Sequence, residues 1–142
     1  MQQIKRFTVG NTIAFLFAMF FAWTCYGQSK PSGNTTSSAV RKLQDSIDAS
    51  NKSVQRLMGV KRYAEAQELA LLTIKKAINI NYVKGEGNAH LNLSSIYYAK
   101  RRFLESESEG KQALVLFSSG SGQAWALIRW GQAVWARSDF NE

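Results

Sequence analysis

From Val40 onward, apolar side chains return every three or four residues: Val40, Leu43, Ile47, Val54, Leu57 and Met58. That step is the period of one buried helical face. It predicts a first helix from about Ser38 to Gly59, with the polar run 48–53 (DASNKS) as a weak point in its middle. A second helix is predicted over 63–80. It is rich in alanine and leucine and apolar nearly all round, so it must be covered on more than one side. The stretch 79–87, containing Lys84-Gly85-Glu86-Gly87, reads as a turn. A third helix over 88–100 and a fourth over 104–117 follow. Ser118-Ser119-Gly120-Ser121-Gly122 breaks the chain again before a fifth helix over 123–137. No segment past Ser38 reads as a strand, so the fold class is all-α. Connections this short force neighbouring helices antiparallel.

The helices also resemble one another. Lys61-Arg62-Tyr63-Ala64-Glu65-Ala66, Arg101-Arg102-Phe103-Leu104-Glu105-Ser106 and Ser138-Asp139-Phe140-Asn141-Glu142 each place an aromatic between a polar turn and an acidic helix start. Tyr63 and Phe103 lie 40 residues apart, Phe103 and Phe140 37. A period of roughly 35–45 residues marks a helical repeat array. Shifting the third helix by 37 pairs Gly85 with Gly122, Ala89 with Ala126, Leu93 with Trp130 and Tyr98 with Trp135.

With Leu93-Ser94, Tyr97, Phe103, Ser106 and Ala113 in one copy, and Trp130-Gly131, Val134 and Phe140 in the next, the chain resembles the tetratricopeptide repeat family. Tyr63 and Ala66 match the half-copy before them. The likeness covers about Ser38 to Glu142. It departs from the family pattern at His90 and Leu127, where tryptophan is common, at Gly110, where a large residue is common, and in having no proline to close a repeat. The resemblance implies an α-solenoid of stacked antiparallel helix pairs over 39–142, cut short at its C-terminal end. It also implies a concave groove lined by the first helix of each pair. Carried over residue by residue, that groove would show Asn88, Leu91, Ser95 and Tyr98 from one copy and Trp125, Ile128, Gln132 and Trp135 from the next, with Ala99 and Ala136 beside them. Trp130 would sit in the core. A groove so aromatic and so poor in charge suits a protein or peptide partner, since tryptophan and tyrosine recur at binding hot spots. Packing is the other reading of Trp125 and Trp135. The carboxylate-clamping mode of some family members is not expected, because Leu91, Ser95, Ile128 and Gln132 occupy its places.

The first residues change the picture of where the protein works. Lys5 and Arg6 precede an unbroken apolar run from Ile13 to Trp23, with Cys25 and Gly27 at the −3 and −1 places of a cleavage site. This predicts a signal peptide over 1–27 and a flexible polar linker over 28–38. The expected location is secreted, periplasmic or cell-envelope. A membrane anchor through residues 7–26 and a lipid-bearing Cys25 remain as alternatives. Cleavage would remove the only cysteine. It would also take the 18 basic residues to 16 against 10 acidic ones, leaving a net charge of +6. Most of these charges fall where helix dipoles favour them, Lys and Arg at helix ends and Glu at helix starts. No nucleic-acid module accompanies them.

Catalytic chemistry is hard to assemble from what remains. One histidine, His90, faces a helix interface, and no His, Cys, Asp and Glu set has metal-ligand spacing. Glu105, Glu107 and Glu109 alternate along a helix and diverge. Gly85-Glu86-Gly87 lacks the strand and third glycine of a dinucleotide site. No catalytic residue, metal or cofactor is expected. Asn34, Asn51 and Asn92 head N-x-Ser/Thr strings. The expectation is a non-enzymatic binding scaffold. The alternative is the sensory N-terminal region of a signalling protein (histidine kinase, cyclase or transcriptional regulator) whose output lies past residue 142.

Overall fold

The computed structural model describes residues 33–139. The expected leader over 1–27, residues 28–32 of the expected linker, and Phe140 lie outside them. Five helices follow one another: α1 (Gly33–Gly59), α2 (Tyr63–Asn79), α3 (Val83–Ala99), α4 (Phe103–Leu116) and α5 (Gly120–Asp139). The described residues contain no strand. The all-α reading therefore holds.

Three connections share one geometry. Lys61, Asn81 and Arg101 each adopt a left-handed backbone, with φ of 60°, 53° and 59°. After α1 the amide of Arg62 reaches back to Leu57 O and that of Lys61 to Met58 O, each at 2.9 Å. Tyr82 and Asn81 do the same to Ala77 and Ile78, and Arg102 and Arg101 to Tyr97 and Tyr98. This is the Schellman closure, which satisfies the last carbonyls of a helix while reversing the chain. Glycine normally holds its left-handed position, but here two cations and an asparagine do. The positions 61, 81 and 101 step by 20, half the 40-residue spacing seen between the aromatics. Arg62 then pairs with Glu65, and Arg102 with Glu105 at 2.7 Å, at the starts of α2 and α4.

Two boundaries differ from the sequence reading. α1 begins at Gly33, inside the stretch expected as linker, and runs through 48–53 without a break. The polar run is tolerated because Ser50 and Ser53 return their hydroxyls to Ser46 O and Ala49 O, each at 3.0 Å, while Asn51 turns inward. α3 begins at Val83, so Lys84-Gly85-Glu86-Gly87 is helix and not turn. Its glycines serve packing. A Cβ on Gly85 would lie 2.6 Å from Ile47 Cγ2 and would overlap the Tyr82 ring. One on Gly87 would lie 2.6 Å from the Phe117 ring, as would one on Gly122. The paired Gly85 and Gly122 thus do the same job, each seating an aromatic ring from the turn before its helix.

The core is small-residue and tight. Val54 of α1, Ala66, Ala70 and Ile74 of α2, and Ala89, Leu93 and Ile96 of α3 form one buried cluster, with Leu57, Met58, Tyr63, Leu69 and Tyr97 packed around it. α3 then packs on α4 and α5, and α4 on α5. At the α3–α4 contact, Ser94 donates to Ser106 O at 2.8 Å and Ser106 returns a bond to Ser94 O at 2.9 Å. At the α4–α5 contact, Gly110 brings its backbone against that of Trp130; a Cβ there would stand 3.1 Å from Trp130 N and Cα. Trp130 is half-buried at this crossing.

α1 and α3 are joined by a polar ladder instead of an apolar seam. Asn51 Nδ2 donates to Gly85 O at 3.0 Å, and Asn92 Nδ2 donates to Asn51 Oδ1 at 3.1 Å. Gln55 Nε2 closes the series on Asn92 Oδ1 at 3.3 Å. Both asparagines are buried. Alongside, Tyr82 Oη donates to Asp48 Oδ2 at 3.0 Å; burial, then this bond, raises the Tyr82 pKa above its ordinary value.

Candidate functional site

The amide ladder surfaces in a cleft of about 370 Å³. From α3, Asn88, Leu91, Asn92 and Ser95 line it. They fall at i, i+3, i+4 and i+7 and so share one helical face. Gln55 of α1 closes one side, and Trp125 and Arg129 of α5, one turn apart, close the other. First, third and fifth helices therefore each contribute. The three Schellman turns carry the chain from α1 to α4, and the extended connection at Phe117 returns it as α5 beside α3.

Polar groups in the cleft differ in how much capacity they have left. Ser95 spends its hydroxyl on Leu91 O at 2.9 Å within its own helix. Gln55 gives its amide to Asn92 and keeps its carbonyl oxygen as an acceptor. Arg129 holds Gln132 Oε1 at 3.2 Å through one Nη1, leaving further donors on a planar guanidinium. Among the described residues the Asn88 carboxamide has no hydrogen-bond partner. Trp125 is 55% exposed, its ring forming an open wall. Carboxamides that both donate and accept, beside an aromatic face and one cation, suit the repeating N–H and C=O groups of an extended peptide backbone.

Of the residues expected in the groove, Asn88, Leu91, Ser95 and Trp125 come together here. The other four lie elsewhere. Tyr98 packs edge-on against Phe103, ring centroids 5.6 Å apart, at the α3–α4 turn. Ile128, Gln132 and Trp135 are exposed along the outside of α5, with Trp135 at 64%. Gln55, Asn92 and Arg129 were missed by the sequence reading. Asn92 and Arg129 sit one position along from expected residues, at the edge of the same helical arc. Gln55 follows the buried Asn51 by one turn, a spacing that would have pointed to it had α1 been matched to the other copies.

The alternating glutamates diverge as their spacing requires. Glu105 faces Arg102, Glu109 accepts from His90 Nδ1 at 2.6 Å, and Glu107 meets Lys111 Nζ at 2.8 Å and Arg137 Nη1 at 3.4 Å. Glu107 is buried, and the Lys111 hydrogen bond, with help from Arg137 and the Trp130 indole, holds its carboxyl below the usual carboxylate range. Neither Glu107 Oε2 nor Trp130 Nε1 completes a full hydrogen bond, so Oε2 is held mainly by charge. A depressed folded-state pKa means the stabilisation is complete above the unfolded value of about 4.3 and is lost as pH falls through the folded one. Glu107→Gln should therefore lower the melting temperature at neutral pH and flatten its fall below about pH 4. Parallel acid melts of the two proteins check this; curves offset by a constant amount would contradict it.

Among the described residues, no group of His, Cys, Asp and Glu could hold a metal ion. No described helix is long and apolar enough to cross a membrane. Comparison with known protein families, with curated proteins and with solved structures finds no match to this chain.

Proposed function

We propose that residues 39–142 form a non-enzymatic protein-interaction module of tetratricopeptide type, which holds an extended segment of a partner protein in the cleft between α1, α3 and α5. The single observation that carries the reading is the lining of that cleft: side chains from three alternate helices, with spare carboxamide groups beside an exposed indole. Adjacent helices, close-packed through Ser94, Ser106 and Gly110, fit the stacked-pair arrangement of such repeats. The leader over 1–27 supports an export reading, with the module working outside the cytoplasm.

Peptides selected from a random displayed library against the whole chain test the function. Trp125→Ala and Asn88→Ala should each weaken a selected peptide by about tenfold or more, the loss of roughly 1.4 kcal/mol or more expected at a hot spot. Both residues are partly exposed, so helical circular dichroism should stay unchanged. Peptides indifferent to both substitutions would remove the cleft as the site.

A further inference from the structure

We infer that the seam between α1 and α2, at its end beside the turn 80–82, is a binding site for a straight-chain carboxylic acid of medium length. The site shares no lining residue with the cleft between α1, α3 and α5 and does not depend on what occupies that cleft. Leu43, Ser46 and Ile47 form one wall, at i, i+3 and i+4 on a single face of α1. Lys76 and Asn79 of α2, with Ile80 just after it, form the other. Between them lies a hollow of about 230 Å³.

The seam is filled unequally along its length. Toward the turn 60–62, Val54, Leu57 and Met58 of α1 belong to one packed cluster with Ala66, Ala70 and Ile74 of α2. Past Ile74 the next buried residue of α2 is Ala77, whose methyl leaves room that a longer side chain would take. Ile47, 2% exposed, is the floor of the hollow, and Leu43, 50% exposed, is its lip.

Three polar side chains stand on the rim: the Ser46 hydroxyl, the Lys76 ammonium and the Asn79 carboxamide. All three can donate, and none has a hydrogen-bond or ionic partner among the described residues. Elsewhere Arg62, Arg102, Lys111 and Arg137 are each matched to a glutamate. No acidic residue lines the hollow, and Asp48, next to Ile47 in sequence, is turned to the Tyr82 hydroxyl. A cation with spare donors above an apolar floor fits a carboxylate head on a hydrocarbon tail. Size sets the length of that tail. A dry cavity of about 150 Å³ holds the six carbons of benzene, so this one seats roughly nine.

The test titrates the whole chain with octanoate, butanoate and neutral octanol, and reads isotope-labelled leucine and isoleucine methyl groups. Octanoate should shift Leu43, Ile47 and Ile80 saturably, and leave Leu91 in the cleft and the exposed Leu72 of α2 in place. Butanoate, four methylenes shorter, should bind at least tenfold more weakly. Lys76→Gln, at an exposed position, should weaken octanoate at least fivefold and change octanol less than twofold. That split separates recognition of the head group from any change in packing. Leu43→Trp should fill the hollow and weaken both ligands at least tenfold. Equal octanoate affinity before and after Lys76→Gln overturns the proposal, as does indifference to Leu43→Trp or equal affinity for octanoate and butanoate. Shifts that never saturate, or that spread to Leu91 and Leu72, overturn it too, because the acid would then be coating apolar surface at large.

Discussion

Replacing Asn51 by leucine should cost about 2–4 kcal/mol of stability, although the substitution preserves size and adds apolar surface. The carboxamide lies within a buried α1–α3 seam, giving to Gly85 O and receiving from Asn92. Leucine would remove the bond to Gly85 O, worth about 1 kcal/mol net, and leave Asn92 Nδ2 only its longer bond to the Asn51 backbone oxygen at 3.3 Å, a further cost of about 1–3 kcal/mol. For a domain of this size the melting temperature should fall by roughly 10–20 °C. The double variant Asn51→Leu with Asn92→Leu is the control. Removing both ends of a buried hydrogen bond is far cheaper than removing one, so the pair should cost less than the sum of the singles. Strict additivity would show that the ladder is not a connected unit. Chemical denaturation of the four proteins provides the measurement.

Glycine at two helix positions should respond in opposite directions to the same kind of change. Gly110→Leu drives a side chain into the backbone of Trp130, where even a Cβ stands at 3.1 Å. Backbone cannot rotate away as a side-chain tip can, so α4 and α5 must separate. Overpacking of this sort costs typically 1–3 kcal/mol and more when a helix contact opens. We expect about 3 kcal/mol, with loss of the Arg137 pairing to Glu107 as α5 moves off, while Lys111, on α4 with Glu107, keeps its own pair. Gly131→Ala meets open space and should instead raise stability by about 0.5–1 kcal/mol, because alanine has less chain entropy to lose in a helix interior. Urea midpoints for the two variants moving the same way would contradict the packing described here.

The number and order of the helices were legible because burial writes a period of three to four into the sequence, as at Val40, Leu43 and Ile47. The joints were not. Lys61 and Arg101 look like surface cations, and nothing in their type announces a left-handed backbone that glycine usually supplies. Gly85 and Gly87 misled in the other direction. Glycine in a polar run reads as a turn, whereas here it is absent bulk, a place for Tyr82, Ile47 and Phe117 to sit. The cleft was half visible. Asn88, Leu91 and Ser95 followed from helical geometry plus the family likeness, while Trp135 lies outside the cleft, exposed on α5. Gln55 escaped because its role depends on how α1 lies against α3, and the side chain that sets this, Asn51, sits inside a run that looks too polar to be buried.

The three superposable joints have a consequence for how such a molecule can change size. With hydrogen bonding and handedness the same at 60–62, 80–82 and 100–102, a duplicated or deleted helix pair meets its neighbours through a hinge they already possess. Length becomes a modular quantity, adjustable in units of two helices without inventing a new bend. The connection after α4 breaks that interchangeability, since Phe117 is extended and plugs both Gly87 and Gly122. Growth or loss by whole modules is therefore easiest on the N-terminal side of Leu116.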